Sequence, residues 1–137
     1  IVAGIAIPRV SDRVDFDARG FFDQTQNMIR YAQKTAIAQR RPVWVQLSQA
    51  DGVICLTYVQ VNVNCQSDAG APVLVPGEQI WYRRAVPADV NFGVTTFFSF
   101  NALGQPNPNT AKELTLFQNG TIAVGTIRVE AETGYVH

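Results

Sequence analysis

At 137 residues the chain has single-domain length, enough for a core built without metals or dense cross-linking. Eleven basic and eleven acidic residues give zero net charge, so no whole-domain field draws nucleic acid or an anionic membrane. Apolar residues at 47% and charged residues at 16% exclude disorder, and one His with two Cys excludes the common four-ligand zinc sites.

The chain opens with IVAGIAIPRV, uncharged through Pro8. Gly4 and Pro8 are costly in a water-exposed helix, Pro by about 3 kcal/mol. Both are frequent in membrane helices, where surrounding groups absorb the defect. The run falls well short of the roughly 20 residues that span a bilayer. With no initiator Met before it, it reads as the end of a longer hydrophobic helix, against the alternative of an unstructured tail. Residues 1–10 are therefore expected to be the remnant of a membrane or filament-core helix, carried by Ile1, Val2, Gly4, Ile5, Ile7 and Pro8. Residues 11–137 are expected to form a globular head.

From about Asp12 to Gln39 the sequence predicts an amphipathic helix. Phe21, Phe22, Thr25, Met28, Ile29, Ala32 and Ala36 recur at helical spacing. Arg19, Asp23, Gln26, Arg30 and Lys34 fall on the opposite side, so Ile29 and Ala32 should be buried and Arg30 and Gln33 exposed. Pro42 stops the helix. PVWVQLS then alternates, with Val43, Val45 and Leu47 on one face and Trp44 and Gln46 on the other. Asp51-Gly52 marks a hairpin turn to VICLTYV, which VQVNVN is expected to continue. DAGAPVLVPGEQ reads as loop with a short extended piece and IWYRR as a short strand. VNFGVTTFFSF reads as one long strand bent at Gly93. After the turn-rich NALGQPNPNT, ELTLFQ and TIAVGTIRVEAE flank Asn119-Gly120 in a type I′ hairpin, and TGYVH ends the chain on an edge. The expected class is α+β: one long N-terminal helix packed on antiparallel sheet, in two small sheets.

IVAGIAIPRV resembles the end of the hydrophobic segment of type IV pilins and type II secretion pseudopilins, where an AIP-R/K-like element is common. RYAQKTAIAQRRPVWVQLS resembles the pseudopilin H or FimT-like branch, in which an A-x-x-x-A-x-x-x-R/N-R/G-x-P-V stretch ends the helix and enters the first strand. Within it, FDARGFFDQTQNMIRYAQKTAIAQ and the terminal ETGYVH are most similar to minor pilins of mannose-sensitive haemagglutinin pili. The helix and first strand carry this resemblance closely, the remainder mainly in kind. It implies a non-enzymatic filament subunit with no cofactor. Its partners would be other pilins or pseudopilins through the N-terminal helix, and the inner membrane before assembly; a host surface or DNA as partner has no support in the residues. It also implies a head domain in the periplasm, then on a pilus or periplasmic filament.

A location outside the cytoplasm makes Cys55–Cys65 an expected disulfide, the alternative being two buried thiols. Arg40, Arg41, Arg83 and Arg84 with Trp44, Trp81 and Tyr82 form a candidate patch for nucleic acid or a partner. Solvated arginines at a helix end and a strand end are the simpler reading, and the neutral chain gives a polyanion little support. His137 reads as solvated. The scattered carboxylates Asp15, Asp17, Asp23, Glu113, Glu130 and Glu132 suggest no acid–base pair or metal cage.

Overall fold

The computed structural model describes residues 3–61 and 64–137, with side chains in the helix from Phe16 onward. Helix α1 spans Ala3–Gln39, 37 residues, or about 55 Å at the standard rise. It begins well before Asp12: the backbone is helical through Gly4 and Pro8, so the proline is held within the helix and does not set its start. The buried stripe runs Ala18, Phe21, Thr25, Met28, Ile29, Ala32 and Ala36, as the periodicity predicts. Thr25 sits in this stripe because its hydroxyl donates back to the Phe21 carbonyl at 2.8 Å. Arg40 takes a left-handed φ of 55°, and the Arg41 N–H reaches the Ala36 carbonyl, closing a Schellman cap before Pro42.

Arg30 and Gln33 are half-buried, not exposed. The Arg30 guanidinium donates to the Val136 carbonyl at 3.2 and 3.3 Å. The Gln33 amide donates to the carbonyls of Gly104 and Thr133 at 2.9 and 3.1 Å. Helical periodicity leaves both on the polar flank; the returning C-terminal segment covers them.

Strands β1 (Val43–Ser48), β2 (Val53–Thr57), β3 (Arg83–Ala85), β5 (Thr96–Phe100) and β6 (Pro106–Asn107) form an antiparallel sheet ordered β3-β2-β1-β5-β6. Strands β4 (Val90–Phe92), β7 (Lys112–Gln118) and β8 (Ile122–Val129) form a second sheet ordered β4-β7-β8. The expected long strand VNFGVTTFFSF is therefore two strands in different sheets. The chain changes sheets at Gly93, where an added Cβ would lie 2.6 Å from the Phe117 ring. In the β7–β8 hairpin Asn119 and Gly120 both have positive φ, as a type I′ turn requires.

The helix-facing side of the five-stranded sheet carries Val43, Val45, Leu47, Ile54, Leu56, Phe98 and Phe100, packed with Met28 and Ile29 in one core. Leu114, Leu116 and Ile127 join it from the second sheet, and the Phe22 ring lies over Gly125. On the opposite side Gln46 is fully buried, donating to the Thr57 hydroxyl at 2.9 Å and accepting from the Val61 N–H at 3.2 Å. Among the described residues no buried side-chain nitrogen or oxygen lacks a partner.

The expected continuation of β2 through VQVNVN does not form over its described part; Asn62 and Val63 lie outside the described residues. Beyond Thr57 the neighbouring position is taken by Pro72, and the Thr57 hydroxyl donates to the Val59 carbonyl at 2.6 Å, turning the chain away. TGYVH does lie on an edge: Val136 bridges Val129, and Arg128 and His137 exchange backbone hydrogen bonds.

Candidate functional site

Gly4, Ile5, Ile7 and Pro8 lie on the α1 backbone, while their side chains, and Ile1 and Val2 altogether, fall outside the described residues. No helix among the described residues is long and apolar enough to cross a membrane. Where side chains are described, α1 presents Phe16 at 78% exposure, one turn ahead of Gly20, whose missing Cβ faces open space. Phe16, Gly20 and Phe21 line a hollow of about 450 Å³ against Ala85 and Pro87 at the end of β3. A phenyl ring in water forgoes about 1.5–3 kcal/mol that burial would supply, so this part of the helix is suited to receiving a neighbour.

Cys55 and Cys65 are bonded and buried under Trp81 on the sheet face away from α1. Closing so short a loop stabilises the fold by about 3 kcal/mol on the chain-entropy model. The cross-link brings Cys65 against the Gln46 carbonyl, and the Val61 N–H donates to Gln46 Oε1, which together explain how a glutamine comes to be buried there.

The arginine–tryptophan set does not form one patch. Cross-strand register puts Arg83 beside Cys55, away from α1, where its Nε donates to the Cys65 carbonyl at 2.8 Å. Trp81 donates from Nε1 to the Leu56 carbonyl at 2.9 Å, and Trp44 packs on Phe97 at 6.0 Å between centroids. Arg84 and Arg41 lie on the helix side. Arg84 sits 5.2 Å from the Tyr82 ring centroid and Arg41 3.5 Å from that of Tyr58. Arg40 is spent on the helix cap. Two tyrosines outside the expected set join them: Tyr58 lies against Arg41, and Tyr31 packs on Tyr82 at 5.6 Å between centroids. Only strand register could have joined them, since they come from α1 and two separate segments.

His137 is not simply solvated. Its ring stacks on Tyr135 at 5.0 Å and its Nε2 lies 2.8 Å from Glu130 Oε1. Arg128 bridges Glu130 and Glu113. Hydrogen bonds from His137 and then Arg128 hold the Glu130 carboxyl below the usual glutamate range. A lowered folded-state value means the favourable contribution is present above the unfolded pKa and is lost as pH falls through the folded one. An NMR titration should therefore place the Glu130 midpoint below that of an ordinary glutamate. Glu130→Gln should remove the acid-side loosening of the C-terminal edge; a midpoint at or above the ordinary value would contradict the network. Among the described residues no group of His, Cys, Asp and Glu is placed to hold a metal ion.

The family model for type II transport protein GspH matches residues 22–133. No curated protein sequence matches the chain. Among solved structures, the type IV minor pilin FimU of Pseudomonas aeruginosa (strain PAO1) is similar in fold, with a TM-score of 0.61 and 17% identity over 84% of this chain and 86% of that one. The minor pseudopilin EpsH of the Vibrio cholerae type II secretion system gives a TM-score of 0.66 and 10% identity over 90% of this chain and 94% of that one. One is a minor pilin and the other a minor pseudopilin, and both share the helix-on-two-sheets architecture. With the fold shared and the family model covering most of the chain, the chain belongs to the family of type II transport protein GspH and has a type IV pilin-like fold.

Proposed function

We propose that this protein is a minor pilin, a non-enzymatic structural component of a type IV pilus that acts in assembly initiation, at the tip, or in adhesion. Residues 1–10 are then the end of the hydrophobic helix that anchors the subunit in the inner membrane and later packs among its neighbours in the filament. Residues 11–137 form the head, which faces the periplasm before assembly. The observation that carries this reading is the unbroken α1, helical from Ala3 through Gly4 and Pro8 into the sheet-packed stripe that starts at Ala18. The resemblance of the helix and of ETGYVH supports reading it as a minor pilin of the kind found in mannose-sensitive haemagglutinin pili.

A pseudopilin of a type II secretion filament is the second reading, favoured by the fold likeness to EpsH. Deleting the gene and scoring piliation beside protein secretion separates the two. In the full-length protein, Ile5→Asp with Ile7→Asp should block membrane insertion or filament entry, since a charge at a helix centre in lipid costs about 2.5–3.5 kcal/mol on insertion scales. Deleting residues 1–9 should leave the melting temperature of the head nearly unchanged. Normal assembly of the double variant, or a head unfolded by the deletion, would defeat the proposal.

A further inference from the structure

We infer that the groove between α1 and the 72–79 loop binds a proline-rich segment of another polypeptide, extended as polyproline II and oppositely charged at its two ends. Its lining on α1 begins at Asn27, well past residues 1–10, so the inference does not rest on the filament reading. Two adjoining hollows of about 390 and 410 Å³ share Tyr31 and Pro76 and form one groove. On the helix side Asn27, Tyr31 and Lys34 line it at positions i, i+4 and i+7, a span of about 10 Å. One turn of polyproline II, three residues at a rise of about 3.1 Å, has nearly the same length.

Tyr31, Tyr58 and Tyr82 supply the aromatic surface of the groove, and all three are half-buried. Among the described residues none of their hydroxyls has a hydrogen-bond partner. A polyproline II backbone makes no internal hydrogen bonds, so its carbonyls can accept from these hydroxyls while its rings pack on the tyrosines. Asn27 in one hollow and Gln79 in the other each add a carboxamide able to donate to a peptide carbonyl. Such a segment is ordered before it binds, which lowers the entropy cost of docking in a shallow groove. Charge gives the ligand its two ends. The charged residues lining one hollow are Arg30 and Lys34, and the other hollow has Glu78. Arg30 donates to the Val136 carbonyl, so Lys34 carries the cationic end. A peptide with a carboxylate near Lys34 and a cation near Glu78 satisfies both, whereas a polyanion satisfies one and is repelled by the other.

Titration calorimetry of the 137-residue chain with a capped pentaproline peptide, flanked by Glu on one side and Arg on the other, tests this. The same peptide in reversed order is run beside it, and versions with glycine in place of proline are the controls. The better of the two orders should bind at least about tenfold more tightly than its glycine version, and about fivefold more tightly than the reverse order. Tyr31→Phe, which keeps the ring, should weaken binding of both orders. Lys34→Glu combined with Glu78→Lys should invert the preference between them; both positions are exposed, so the fold tolerates the exchange. No binding of either order at millimolar concentration would overturn the inference. So would a glycine version that binds as well, or an order preference untouched by the charge exchange. Tighter binding of chitohexaose or a short oligothymidylate would overturn it too, reassigning the groove to a sugar or to nucleic acid.

Discussion

Ile29→Ala is expected to lower the unfolding free energy by about 2–5 kcal/mol, read as a fall in the urea midpoint. Ile29 is fully buried at the centre of the helix stripe, and the sheet residues facing it are themselves fixed in cross-strand register. The surroundings can collapse only partly into the space left by the truncated side chain, so a cavity cost adds to the lost transfer energy. The adjacent substitution supplies the contrast. Arg30→Ala leaves no core cavity but removes the donors to the Val136 carbonyl and the aliphatic stem that packs beside them. It should cost about 1–2 kcal/mol. Equal losses at the two positions would mean that the helix docks on a different face.

Gly134→Val should be comparably severe, about 2–5 kcal/mol by thermal or urea unfolding, although it lies three residues from the end of the chain. Gly134 has a φ of 69°, which a β-branched residue adopts only with strain. A Cβ there would fall 1.9 Å from the Gly104 carbonyl oxygen and 2.6 Å from Gln33 Nε2. Backbone cannot yield as a flexible side chain can, so the segment must move. That movement breaks the contact in which Gln33 ties the Gly104 and Thr133 carbonyls to the helix. Melting unchanged within about 0.5 kcal/mol would show that the C-terminal segment is a passive edge. The expected loss identifies it as the tie between α1, the β5–β6 connection and β8.

The same segment separates what is local in this molecule from what is not. The stripe of α1 from Phe21 to Ala36, the stop at Pro42 and the Asp51-Gly52 and Asn119-Gly120 hairpins all follow from residues close together in sequence. They rest on backbone conformation and short periodicity. Pro8 does not bound the helix, because a single proline can be carried within a helix whose other bonds persist.

Partners distant in the chain decided the rest. VNFGVTTFFSF has uninterrupted strand character, and only the placement of Phe117 over Gly93 splits it between two sheets. VQVNVN alternates well enough for a strand, yet Pro72 occupies the position beside Thr57 that it would need. Arg30 and Gln33 are polar-face residues by periodicity and half-buried because residues 133–136 close over them. The arginines and tryptophans close in sequence were separated by strand register, which sent Arg83 and Arg84 to opposite faces and set Arg84 beside Tyr82, itself packed on Tyr31. Sequence by itself determined the elements and the apolar face of the helix, because those depend on spacings of a few residues. Tertiary structure alone decided which surfaces remain open to a ligand or a neighbouring subunit, because strand order and register are set by packing between residues far apart in the chain.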